Sequence, residues 1–155
     1  LETFGGGVFT KLICNGLKGE AADLLGNVSV ASLYNHADKL LSPWEQRPVF
    51  KAHLSSMISL RKCTPVITTQ ELKKITKFFK HEDYHYALDS SYEPDSLPHN
   101  EINESIFATL QAYRAANLVE PVGEKHMYYA AVNKRACRLT KLGQFYWTMV
   151  VKDKI

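Results

Sequence analysis

Cysteine is scarce in this 155-residue chain: three residues, Cys14, Cys63 and Cys137, odd in number and far apart. That count and spacing offer neither a disulfide framework nor a Cys-x-x-Cys zinc site, and they suit a reducing, cytoplasmic setting. No apolar run approaches the ~20 residues of a membrane-spanning helix, and the N-terminus lacks the basic-then-apolar layout of a secretion signal. A soluble chain with no membrane partner is therefore expected. Charge of one sign is also missing. A formal net charge of +3 is too slight to imply nucleic acid or an acidic membrane surface. Histidines 36 and 53 have no Cys or His at ligand spacing, and Asp23 to Asn27 lacks the closing bidentate Glu of an EF-hand, since position 34 is Tyr34. No metal or cofactor site is expected, and 23–27 reads as a plain turn.

What the chain does have is a strongly patterned first third. After Gly5-Gly6-Gly7, the residues Val8, Phe9, Leu12, Ile13 and Leu17 fall at helical spacing, and Gly19 stands where a left-handed cap belongs. A second amphipathic helix begins near Ser29, with Val30, Leu33, Tyr34, Ala37, Leu40 and Leu41 on one face. Two short helices with apolar faces require a sheet to cover. Pro43 and Pro48 then break the chain, residues 49–54 alternate as a strand with Trp44 at its start, and periodicity fades from 55 to 65. Cys14 lies mid-helix beside Ile13 with no assigned base, and reads as a small buried thiol rather than a nucleophile.

Pro65 marks a joint, giving domains 1–66 and 67–155. Thr68 and Glu71 form a capping box ahead of Leu72, Ile75, Phe78 and Phe79. Residues 81–104 hold seven carboxylates and no Lys or Arg, interleaved with Tyr84, Tyr86 and Tyr92. Linkers are poor in aromatics, so this stretch predicts a long ordered loop or docking surface. A helix from about Glu101 points Ile102, Ile106, Phe107, Leu110 and Tyr113 inward and stops near Asn117. Residues 118–122 and 127–132 flank a turn at Gly123 as a predicted hairpin, and Thr140 caps a last helix.

Two resemblances follow from these motifs. Gly7-Val8-Phe9-Thr10, the 16–26 loop, Leu33-Tyr34 and Gln46-Arg47-Pro48 occur in the order of the C-terminal part of the bacterial, metacaspase-like branch of caspase-like cysteine peptidases. The resemblance covers roughly residues 5–54. It implies an α/β sandwich in which this chain supplies covering helices and an edge strand, completes the substrate cleft, and pairs with an upstream catalytic half. Peptidases of this class use a His-Cys dyad. The chain has no His-Gly turn after a strand and no Asp-x-Cys or Ala-Cys strand end before a small-residue loop, so the dyad is carried over to no residue here. The chain opens on Leu1 in the middle of that pattern, as a proteolytic product or an excerpt of a longer polypeptide would.

Residues 68–155 resemble a winged helix, an α+β module, through Leu118-Val119, the predicted wing at Gly123 and Leu139-Thr140-Lys141-Leu142-Gly143. A DNA-reading winged helix needs cations along its recognition helix. Here that helix starts with Glu101 and Glu104 and offers only Arg114, while Lys134, Arg135, Arg138 and Lys141 gather after the wing. The expectation is thus a peptidase C-terminal half bearing a regulatory or protein-interaction module, with peptide substrate and a regulatory protein as partners. Tyr84, Tyr86, Tyr92, Lys134, Arg135 and Arg138 are its candidate contacts. The alternatives are a non-catalytic adaptor and a DNA-binding winged helix.

Overall fold

A computed structural model describes residues 7–41, 49–51 and 58–155. It is a mixture of helices and small open sheets, divided into two compact units, Leu1–Val66 and Ile67–Ile155.

In the first unit, helix α1 (Val8–Asn15) runs into a single wide turn, Gly16–Glu20, that Gly19 ends at φ +131°. That angle is in the region L side chains avoid, which is why a glycine stands there. Asp23 then organises the next turn: its Oδ1 accepts from the backbone N–H groups of Leu25 at 3.0 Å and Asn27 at 2.8 Å. An Asx turn of this kind spends the carboxylate on backbone donors. Strand β1 (Asn27–Ser29) leads into α2 (Val30–Leu40), whose N-terminus is closed by a reciprocal Ser29–Ser32 box. β1 pairs antiparallel with β2 (Ser59–Lys62). Ala21, Val28 and Leu33 form the buried centre, with Ile13, Leu17, Ala22 and Cys63 packed on it.

Several expectations change here. The strand partner is β2, in the stretch where periodicity faded. All four of its residues are exposed, so no inward face prints an alternation into the sequence. Of the expected strand 49–54, residues 49–51 have no regular structure and Val49 is 83% exposed; residues 52–54, like Trp44, Gln46, Arg47, Pro48 and His53, lie outside the described residues. Cys14 is exposed rather than buried, because the inward stripe of α1 passes through Ile13. Val8, Phe9, Val30 and Leu40 of the expected apolar faces are exposed as well.

The second unit opens with the Thr68 capping box: Thr68 Oγ1 accepts from Glu71 N at 3.1 Å, and the Glu71 carboxylate accepts back from Thr68 N. Thr68 Oγ1 also donates to Glu71 Oε2 at 2.8 Å, and this bond, with the one from Thr68 N, holds the Glu71 carboxyl below its usual range. Helix α3 (Thr69–Lys73) breaks at Lys74 and α4 (Ile75–Phe78) follows. Strand β3 (His85–Ala87) and a short 3-10 turn, Ser90–Tyr92, occupy the acidic stretch, which is therefore partly strand rather than all loop. Next come α5 (Glu101–Ala115), β4 (Val119–Val122), α6 (Met127–Val132), β5 (Ala136–Leu139) and α7 (Lys141–Val151). The sheet order is β3-β5-β4, antiparallel throughout.

The predicted hairpin partner 127–132 is a helix. Met127, Ala130 and Ala131 are its buried residues, an i, i+3, i+4 set that a six-residue apolar run can satisfy as readily as strand alternation. The sheet partner of β4 is instead β5, reached after α6, so a helix fills the place expected for a wing. Ile102, expected inward on α5, is 74% exposed. Phe107, Leu110 and Tyr113 are buried as the helical spacing predicts, and Asn117 ends that helix at φ 57°. Leu72, Ile75, Phe79, Leu118 and Cys137 complete the core.

Candidate functional site

The candidate tyrosines divide into two groups. Tyr86, on β3 opposite Cys137, stands among Phe78, Phe79 and Tyr92 with ring centroids 6.1 to 6.2 Å away. Its hydroxyl lies 3.2 Å from that of Tyr92, whose ring is in turn 6.3 Å from Phe107. Burial and this hydroxyl pairing raise the Tyr86 pKa well above the ordinary phenol range. Both rings are thus used largely inside the unit, as a link between β3, the 3-10 turn and α5. Tyr84 stands apart and half-buried, edge-on to His81 at 5.4 Å with the Lys80 ammonium 5.8 Å over its face.

The basic candidates are less of a cluster than their spacing suggests. Lys134 holds a left-handed turn residue's place at φ 51°, exposed between α6 and β5. Arg135 is exposed, but its backbone is committed: N–H to Ala130 O at 2.7 Å, and carbonyl to Leu88 N at 2.8 Å. Arg138 pairs across the sheet with Glu120, Nε to Oε1 at 2.8 Å. Near it a polar hollow of about 350 Å³ is lined by Glu82, Asp83, Lys141 and Gln144. Gln144 donates there to Glu82 O and Asp83 Oδ1, and accepts from Lys141 Nζ. The hollow is satisfied from within, and it has no surplus of positive charge for a phosphate backbone.

Nucleophiles are no better placed. Cys137 is fully buried, and burial pushes its thiol up to about 12, leaving it inert as a thiolate. Cys63 Sγ contacts Leu17 O at 3.8 Å. His36 Nε2 lies 3.3 Å from Glu20 Oε2, out of line for a hydrogen bond. Among the described residues neither Cys14 nor Cys63 bonds to a histidine, and no group of three His, Cys, Asp or Glu side chains is placed to hold a metal.

Sequence reasoning missed the surface around α6. Tyr128 and Tyr129, 47% and 50% exposed, meet edge to face at 5.3 Å. Beside them an open groove of about 570 Å³ runs past Gln111, Arg114, Lys125 and His126. The signal in the sequence is Met127, Ala130 and Ala131 at i, i+3 and i+4: a helix that buries this face turns both tyrosines to solvent.

Glu93 is the one buried charged residue among those described, 7% exposed, and its Oε1 has no hydrogen-bond partner. Desolvation and the neighbouring Asp95 raise its pKa. A carboxyl with a raised native pKa binds its proton more tightly folded than unfolded. Its contribution therefore favours folding as pH falls from neutral through the raised pKa toward the free-carboxyl value, and levels off below that. Glu93→Gln is expected to flatten this part of the stability–pH curve and to stabilise the protein at pH 7 by about 1 kcal/mol. Urea unfolding of both proteins across that range checks it; parallel curves would show that Glu93 is solvated.

Comparison with known proteins finds no matching family model, no matching curated protein and no matching solved structure.

Proposed function

We propose that the first unit is the C-terminal part of a caspase-like cysteine endopeptidase, completing its sheet and substrate cleft, and that the second unit is a regulatory or protein-interaction module. The observation that carries this reading is the incompleteness of the first unit. Its buried centre is a handful of side chains, its sheet has two strands among the described residues, and β2 buries neither face. Val8, Phe9, Leu40, Ile58 and Leu60 stay exposed around it. Sheets with open edges and helices with bare apolar faces are stable when another layer covers them. Taken with the motif order in residues 5–54, the covering layer is the catalytic half of the peptidase, which brings the His-Cys dyad.

The second unit supports the interaction role over DNA reading. The helix in the recognition position carries Glu101 and Glu104 in its first turn, and Arg138 is matched by Glu120.

The purified chain is expected to have no peptidase activity, and its complex with the upstream half to cleave peptides through a cysteine, with a charged, commonly basic residue before the cut. Cys14→Ala should leave that complex active. N-terminal sequencing and intact mass of the native protein identify the other half, and a fluorogenic-peptide assay with and without it reads the activity. Residues 1–66 folding cooperatively with no partner, or loss of activity in folded Cys14→Ala, would overturn the reading.

A further inference from the structure

We propose that the groove between the last turns of α5 and the start of α6 binds an acidic segment of a protein partner, Arg114 and Lys125 meeting its carboxylates and Tyr128 and Tyr129 its apolar side chains. The inference rests on the interaction role given to the second unit and names the chemistry of what it takes. No carboxylate lines the groove. An adjoining hollow of about 690 Å³ shares Lys125 and His126 with it and reaches Tyr129. The carboxylate there, Glu124, lies outside the groove's own lining, and its Oε1 accepts from Asn133 Nδ2 at 2.8 Å. Arg114 and Lys125 are exposed and, among the described residues, form no ion pair. Two cations in a groove whose own lining holds no carboxylate complement a ligand that carries carboxylates.

A peptide fits better than a nucleic acid for two reasons. Each neutralised phosphate adds about one to the salt slope of binding, so two fixed cations supply a small part of what duplex or single-strand binding draws on. Over the whole second unit, moreover, cations and carboxylates nearly balance. Tyrosine and arginine are instead the residue types that dominate protein interfaces, the tyrosines adding contact area at little entropic cost.

The test uses the full chain, immobilised, against a random-peptide phage library, followed by affinity measurement on the selected peptides. Selected sequences should be rich in Asp and Glu with an aromatic or aliphatic residue between them. R114A/K125A should weaken their binding at least about tenfold, equivalent to about 1.4 kcal/mol, and Tyr128→Ala should weaken it similarly. R114E/K125E should lose them and select basic peptides, whereas K152A/K154A should bind as the parent does. All these side chains are exposed, and circular dichroism verifies the fold; if a variant fails to fold, salt titration of the parent decides, since binding that does not weaken with salt overturns the proposal.

It is equally overturned by selected peptides without acidic residues, by displacement of the peptides by oligo(dT), or by dimerisation that Arg114→Glu abolishes, which would make a second copy the occupant. If peptides bind elsewhere on the unit, the groove assignment fails while the interaction role stands. If none is selected and the native protein has no partner half, both fail.

Discussion

Gly143→Ala should cost the second unit about 3 kcal/mol, an unusual penalty for a single methyl group. Alanine is the better helix former by about 1 kcal/mol, and Gly143 lies in the first turn of α7, so propensity alone predicts stabilisation. Packing reverses the sign. A Cβ at this position would overlap the carbonyl oxygen of Leu118 and crowd the Leu139 side chain. That carbonyl cannot step aside freely, because it accepts from Thr140 N at 3.0 Å. Thr140 is tied in twice more: its Oγ1 donates to Asn117 O at 2.7 Å and accepts from Gly143 N at 3.0 Å. The start of α7 is thus seated directly on the chain entering β4, and only a residue without a side chain fits between them. Urea unfolding reads the effect as a lower midpoint at unchanged slope. A change within about 0.5 kcal/mol of the parent would mean that α7 does not approach β4 this closely.

The second large effect is at Tyr113, which does two separable things. Its ring is fully buried, in edge contact with Phe78 at 6.1 Å, and its hydroxyl donates to the Glu71 carbonyl at 2.6 Å. Burial raises its pKa above the ordinary phenol value, so the donor keeps its proton at any working pH. Tyr113→Phe keeps the ring and leaves the Glu71 carbonyl without that donor, a loss of about 1 kcal/mol. Tyr113→Ala removes the ring as well and should cost about 4 kcal/mol. The difference between the two variants measures the packing alone. If Phe costs as much as Ala, the hydrogen bond rather than the ring fastens α3 to α5.

These outcomes depend on features that differ in how far they can be read along the chain. Thr68 and Thr140 cap their helices as expected, because a cap is settled between residues three apart and needs nothing distant. Phe107, Leu110 and Tyr113 were legible because α5 is long enough for its period to dominate. The 127–132 run was not: six apolar residues fit either geometry, and only the contacts of Met127, Ala130 and Ala131 choose the helix. Strand β2 escaped for the opposite reason, having no buried face to pattern it. Ile102 fits the helical stripe of α5 yet lies beyond the core, in the first turn.

The candidate site divides the same way. That 81–104 is ordered and aromatic could be read from composition. That Tyr86 and Tyr92 spend their hydroxyls on each other could not, since their other neighbours come from α4 and α5. Arg138 looked like part of a basic group until the register placed Glu120 opposite it.

The order β3-β5-β4 has a consequence in time as well as in space. The middle strand is the last to be synthesised, so β3 and β4 have no common partner until Ala136–Leu139 has left the ribosome. Until then two strand edges wait open, in a chain that grows at about 5–20 residues per second. A stop codon anywhere before position 136 would therefore abolish the sheet rather than shorten it, and the nascent unit depends on the segment that begins at Ala136 to close.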